Sequence, residues 1–364
     1  MIGRRSLGRM LAAGIAALSL GCGLAVAGAG VAQAAVPNYW GFALVVNPSG
    51  PVSAVHWAES HASPTPTATA VGPGLEVVHF RSIGYFKGGV VHVTAVTDQF
   101  AWCQAQSWGP LAGTENVEVR CFVKGVPAFV PFTVMVSESS GTLPGGLLYA
   151  YVYYSTSIQS SYNSKGLANA VSPMGTGVWK VRLHGPGPAP KPSGGVQVTA
   201  VDAKPRICDV GGRTQTATQQ IIVVKCYNKL GMPAASGWTL SYQRGRAITG
   251  TKPRLFAYTD NNKPLLLGPY VPAPPAVNFN SAGATNTIQR AGTGQSLVKF
   301  PRVGLRPDII FVTAVAPGPK VCNLNTVWAT TGSPGDVLVR DVTCYKALGA
   351  LAATESFVTY TGKV

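Results

Sequence analysis

Val91-His-Val-Thr-Ala-Val96, followed by Trp102-Cys103 and then by Val117-Glu-Val-Arg-Cys121-Phe122, is the stretch whose reading decides the fold. It returns twice. Val196-Gln-Val-Thr-Ala-Val201 leads to Ile207-Cys208 and Val224-Lys-Cys226-Tyr227, and Ile310-Phe-Val-Thr-Ala-Val315 leads to Val321-Cys322 and Val342-Thr-Cys344-Tyr345. Internal repetition at a period near one hundred residues governs architecture before any single residue does. Within Val117–Val123, valines and Cys121 alternate with Glu118, Arg120 and Phe122, the period-two pattern of a half-buried strand.

The repeat extends upstream and downstream. Phe42-Ala43, Tyr149-Ala150 and Phe256-Ala257 open the three copies. A Gly-x-Gly signature follows in each, at Gly72–Gly74, Gly175–Gly177 and Gly292–Gly294, before an apolar strand. Because these glycines precede strands and not helices, they read as turn glycines and not as phosphate loops. Each copy closes on an aromatic strand: Phe132-Thr-Val134, Trp238-Thr-Leu240 and Phe357-Val-Thr359.

Only 12% of the 364 residues are charged, against 43 Gly and 28 Pro, a mix that suits β-rich extracellular proteins better than helical cytosolic enzymes. Arg4, Arg5 and Arg9 precede an apolar run from Leu11 to Val31 and an Ala32-Gln-Ala34 site, which predicts a secretory signal peptide over residues 1–34, cleaved after Ala34. Cys22 would leave with it. Six cysteines remain, two per copy, and repetition selects Cys103–Cys121, Cys208–Cys226 and Cys322–Cys344 among the fifteen possible pairings. Export favours oxidation, and each closed loop would stabilise by about 3 kcal/mol.

The expected architecture is all-β: three tandem β-sandwich or jelly-roll-like repeats over residues 35–140, 147–246 and 252–364, each with one internal disulfide. Four extra residues between Cys322 and Cys344 predict a longer loop or bulge near Gly332-Ser-Pro-Gly335. No transmembrane segment is expected once the signal peptide is removed.

Catalytic signatures are sparse. No acid aligns across the three copies, and no Gly-x-Ser-x-Gly elbow, Walker motif or Rossmann fingerprint occurs. His56-Trp-Ala-Glu59-Ser-His61 is dense in ligand types, yet it lacks His-Glu-x-x-His spacing and lies in a Pro/Thr loop, so neither a metal nor another cofactor is expected. Glu59 and Asp98 are the acids to test if one copy is an enzyme. Candidate ligand contacts are Trp108 and Trp328, which flank polar loops and read as exposed stacking platforms, and the basic cluster Arg244, Arg246, Lys252 and Arg254.

The phrase Tyr149-Ala-Tyr151, Gly175-Thr-Gly-Val-Trp-Lys-Val181, Val198-Thr-Ala-Val201 and two cysteines resembles tandem β-repeats of secreted actinobacterial proteins of uncharacterised function. That resemblance covers nearly all of the chain after residue 34 and brings no catalytic residues. More loosely, the Gly-Thr-Gly stretch is similar to β-structured receptor-binding modules of phage-tail type, which implies that the three units pack as a pseudo-trimer.

After loss of Arg4, Arg5 and Arg9, 26 basic residues face 13 acidic ones, a net charge of +13. Such a surface attracts polyanions. The sequence therefore predicts a secreted, non-enzymatic binding protein of the cell envelope or extracellular matrix, engaging a wall polymer, an acidic polysaccharide or another polyanion, with no sequence-specific nucleic-acid contact. The alternatives are a glycan-directed hydrolase with one active unit and a self-assembling structural surface protein.

Overall fold

The computed structural model describes residues 38–85, 87–141, 147–185, 193–250 and 255–362. The expected signal peptide and the cluster members Lys252 and Arg254 lie outside the described residues. The chain is all-β: β-strands and one 3₁₀ turn at Pro275–Val277 make up its regular structure among the described residues. No helix among them is long and apolar enough to cross a membrane. The three cysteine pairs are the expected disulfides, each joining directly opposed residues of neighbouring strands with Cα atoms 4.0–4.1 Å apart. Three such bridges suit an oxidising environment.

Residues 35–364 form one compact unit, and the sheets run across the expected repeat boundaries. Strand Gly195–Val201 of the second copy pairs in parallel with Ala101–Leu111 of the first at Val201–Ala105. Strand Asp308–Val315 of the third pairs in parallel with Arg206–Gln215 of the second at Val315–Val210. A parallel bridge between Val96 and Leu324 joins the first copy to the third. The six residues occupy corresponding places: the last valine of Val-Thr-Ala-Val, and the second residue after each first cysteine. The three joins therefore close a ring.

The repeated threonine explains why Val-Thr-Ala-Val recurs. Val93 N donates to Thr199 Oγ1 (3.3 Å), Val198 N to Thr313 Oγ1 (3.4 Å) and Val312 N to Thr94 Oγ1 (3.0 Å). All three threonines are buried, so each hydroxyl satisfies a backbone N–H of the preceding copy where water cannot. A second ring lies beside it. Gln104 bonds the backbone of Lys204 (2.8 Å) and Arg206 (2.9 Å), Asp209 accepts from Lys320 N (3.3 Å), and Asn323 donates to Gln99 O (3.0 Å).

Cores lie between facing sheets. Val91, Val93, Phe132 and Val134 pack against Val78, Phe80, Val117 and Val119 in the first copy. The other two copies are built alike, though the third core also takes in Trp40, Phe42 and Leu44 of the first. Phe122, on the outward face by alternation, is buried all the same, against Trp102, Ile207, Val321 and Tyr345 around the ring. The second glycine of each Gly-x-Gly has φ of 60–71°, and a Cβ there would meet the carbonyl of the second cysteine at 2.5–2.8 Å. That carbonyl's own residue donates its N–H to the glycine oxygen at 2.8 Å in every copy. Glycine is required by that close approach.

Ladder register corrects two alignments made from sequence. Val134, Leu240 and Val358 correspond, because they pair with Val93, Val198 and Val312. Hence Phe132 and Trp238 match Ser356, not Phe357, and Phe42 matches Tyr151 and Tyr258, not Tyr149 and Phe256. Aromatics on both faces of these strands make a one- or two-residue slip look plausible; a one-residue slip reverses every face. The turn at Gly332–Gly335, joining Ala329–Gly332 to Gly335–Lys346, is as short as its counterpart in the first copy, so the longer loop expected there is corrected; part of the extra length is a bulge between Val339 and Val342, opposite Ser296 and Val298.

Candidate functional site

The site comes into view when the three joins are compared place by place. A β-bulge after Ala105, and another after Val210, follows the axial bridge residue and re-aims what comes next. In the first copy that residue is Trp108. Its ring lies 4.4 Å from that of Tyr153, on the opening strand of the second copy, and its Nε1 donates to Gly88 O (2.6 Å). Between the third copy and the first, Trp328 fills the corresponding place. It packs into the core with Leu44 and stands edge-on to His56 at 4.7 Å. Tyr153 and Leu44 occupy matching ladder positions. The exposed platform expected at Trp328 is thus corrected: it is 2% exposed, because the join buries it. Trp108 is half-buried against its neighbour.

At the third join the wedge is Arg213, and everything around it changes. Asp260 stands where Tyr153 and Leu44 stand, and Glu355 stands where Gly237 and Pro131 stand. Arg213 Nη2 lies 3.4 Å from Asp260 Oδ2, and Nη1 donates to Gly194 O (3.0 Å). Its guanidinium carbon sits 4.3 Å from the centre of the Phe357 ring, a cation–π contact. Arginine does not fill the join as tryptophan does. A cleft of about 340 Å³ remains, lined by Arg213, Asp260, Glu355 and Asn262 with Pro274, Val277 and Val315 as its apolar part.

Burial, then the Glu355 charge, pushes the Asp260 carboxyl well above the usual carboxylate range, although Arg213 opposes this. Burial likewise raises Glu355. Two carboxyls that repel in a low-dielectric site retain a proton between them. Asp260 and Glu355 share a hydrogen bond between their carboxyls, and Asn262 Oδ1 is a buried acceptor without a hydrogen-bond partner among the described residues. Such an atom is costly to bury, and a group that brought a donor into the cleft would satisfy it.

Other candidates do not assemble into a site. His56 is hydrogen-bonded to Asp308 (2.7 Å), whose second oxygen accepts from half-buried Thr330 (2.9 Å) and buried Tyr360 (3.2 Å). Glu59 is buried and accepts from Ser82 N (3.2 Å), while His61 stacks on Tyr39 at 4.8 Å, so the three candidate ligands of that loop are directed apart. Asp98 is exposed, and its backbone carbonyl accepts from Tyr345 (2.7 Å). Arg244 and Arg246 are half-buried. A second carboxyl pair exists at Glu115, raised to about 8 by burial and by Glu138, and Glu138, raised to about 7 by burial. The space beside it is only about 10 Å³, room for a single water.

Sequence reading missed Arg213, Asp260 and Glu355 because it looked for acids shared by all copies. The usable signal was the reverse, an arginine in the fifth place after Cys208 where the first copy has Trp108 in the fifth place after Cys103. Comparison with known protein families, curated proteins and solved structures finds no match.

Proposed function

We propose that this protein is secreted, with residues 1–34 removed as a signal peptide, and serves as a non-enzymatic binding protein of the cell envelope or extracellular matrix. Its ligand site is the cleft of Arg213, Asp260, Asn262 and Glu355, and its ligand is a hydroxyl-rich glycan, such as a unit of a wall polymer. One observation carries this reading: of three corresponding joins, two are closed by tryptophan and one is opened and lined with charge. The unpartnered Asn262 Oδ1 calls for a hydroxyl donor, and Pro274, Val277 and Val315 suit the apolar face of a sugar ring. The acidic pair disfavours a polyanion in the cleft itself, so the net charge of +13 serves long-range attraction instead.

The test is co-sedimentation of the protein with purified cell walls at low and high salt. Salt-resistant binding that falls at least tenfold in both Asn262→Ala and Glu355→Ala is the expected result. Binding that salt abolishes, or that neither substitution changes, would remove the cleft from the account.

The raised carboxyl pair favours a second reading, a glycan-directed hydrolase with one active unit in which Asp260 holds a proton and Glu355 accepts one. Release of reducing ends from wall glycans by the protein, lost in Glu355→Gln, would favour it over simple binding.

A further inference from the structure

The turns that follow the second cysteine of each pair meet around the ring. They lie at Lys124-Gly125, at Lys229-Leu-Gly-Met232 and at Ala347–Leu351. A Cβ at Gly125 would be 3.0 Å from the Lys229 side chain, and one at Gly231 would be 3.0 Å from Ala347. One at Gly349 would be 3.0 Å from Phe100, whose carbonyl accepts from Lys124 N at 3.0 Å. The three turns thus touch in a closed circuit at one end of the molecule, above the buried cluster of Phe100, Trp102, Phe122 and Tyr345.

These tips are apolar. Val126, Leu230, Met232 and Leu348 are 53–77% exposed, and Leu351 is exposed beside them. Lys124, Lys229 and Lys346 stand exposed at the same turns. The acids on neighbouring loops are Asp98 and Asp202, and Asp202 is engaged by Arg206 at 3.2 Å. Isolated exposed leucines need no explanation, but a ring of apolar tips on adjoining turns does.

We propose that this end docks on a lipid bilayer carrying anionic headgroups, with the apolar tips entering the interfacial region and the three lysines lying on the phosphates. Charge complementarity identifies the occupant together with the tips. A soluble polyanion would engage the lysines and leave the apolar side chains in water. A second copy facing this end would bring two lysine rings together. An anionic bilayer accommodates both features, and three linked tips act with a shared effective concentration.

The experiment is sedimentation of the whole protein with phosphatidylcholine vesicles, with and without phosphatidylglycerol. Binding to the anionic vesicles is expected, with little to phosphatidylcholine alone. Replacing the lysines as Lys124→Gln, Lys229→Gln and Lys346→Gln together should weaken binding about 100-fold, from about 1 kcal/mol per lysine. Leu230→Ser, Met232→Ser and Leu348→Ser together should abolish salt-resistant binding while leaving charge intact. These positions are exposed, so circular dichroism should show unchanged folding. No binding to either vesicle overturns the proposal. Binding indifferent to the serine variant also overturns it, leaving general attraction to a basic surface. Dimerisation lost in that variant assigns the end to a second copy instead. Glu355→Ala should not affect vesicle binding, which separates this proposal from the cleft.

Discussion

The join closed by Trp328 and the join opened by Arg213 are the same place built in two ways. At the first, an indole is 2% exposed and packs with Leu44 and His56. At the second, a guanidinium, two carboxyls and an unpartnered amide oxygen surround about 340 Å³ of space. Both sit beside corresponding parallel bridges, Val96–Leu324 and Val315–Val210, and on corresponding ladder positions. The wedge position itself does not need charge, since Trp108 and Trp328 fill it at the other joins, the His56–Asp308 pair lying beside Trp328. Burying Arg213, Asp260 and Glu355 carries a desolvation penalty that hydrophobic packing avoids.

The sharpest break of this comparison is Trp328→Ala. It empties a fully buried place and should cost about 3–5 kcal/mol in chemical unfolding. A loss under 1 kcal/mol would mean that the closed join contributes little and that the contrast carries no energetic meaning. Next in size is a graft of the closed join onto the open one, Arg213→Trp with Asp260→Tyr and Glu355→Gly. Exchanging a buried charge cluster for packed apolar groups should raise stability by about 2 kcal/mol while abolishing wall binding. Retained binding would place the ligand elsewhere.

The smallest effect lies one layer inward. Asp209 occupies the place of the amides Gln104 and Asn323, and burial pushes its carboxyl well above the usual value of 3.8. Because the folded group holds its proton more tightly than the unfolded one, its neutral form's stability is fully present below that value. It is lost as pH rises through the raised folded pKa. Asp209→Asn should leave stability unchanged near pH 3 and raise it by about 1 kcal/mol at pH 8, measured by unfolding across that range. An equal effect at both pH values would show that the group does not titrate as proposed.

Much of this fold is legible in the sequence. Alternation in Val117–Val123 and the returning Val-Thr-Ala-Val mark strands directly, and paired cysteines in each copy fix the bridges. The ladder register is less legible, because Tyr149 and Tyr151, or Ser356 and Phe357, differ by small steps that only hydrogen bonding resolves. The ring is legible only as repeated threonines, whose partners lie 106 to 218 residues away in another copy. The candidate site is the least legible. Arg213 and Asp260 are 47 residues apart, Glu355 is farther still, and nothing local links them. Their signal is disagreement with corresponding positions, which presupposes the alignment that the ladders supply.

The closed ring of threonine clasps has a consequence for how such a molecule can change. If three separate copies of one sequence made this ring, every substitution would be made three times. A tryptophan could then not become an arginine at one join without opening all of them. Carrying the three copies in a single chain removes that constraint. Two joins can keep the assembly closed while the third is altered freely, so one gene can hold both the scaffold and its exception.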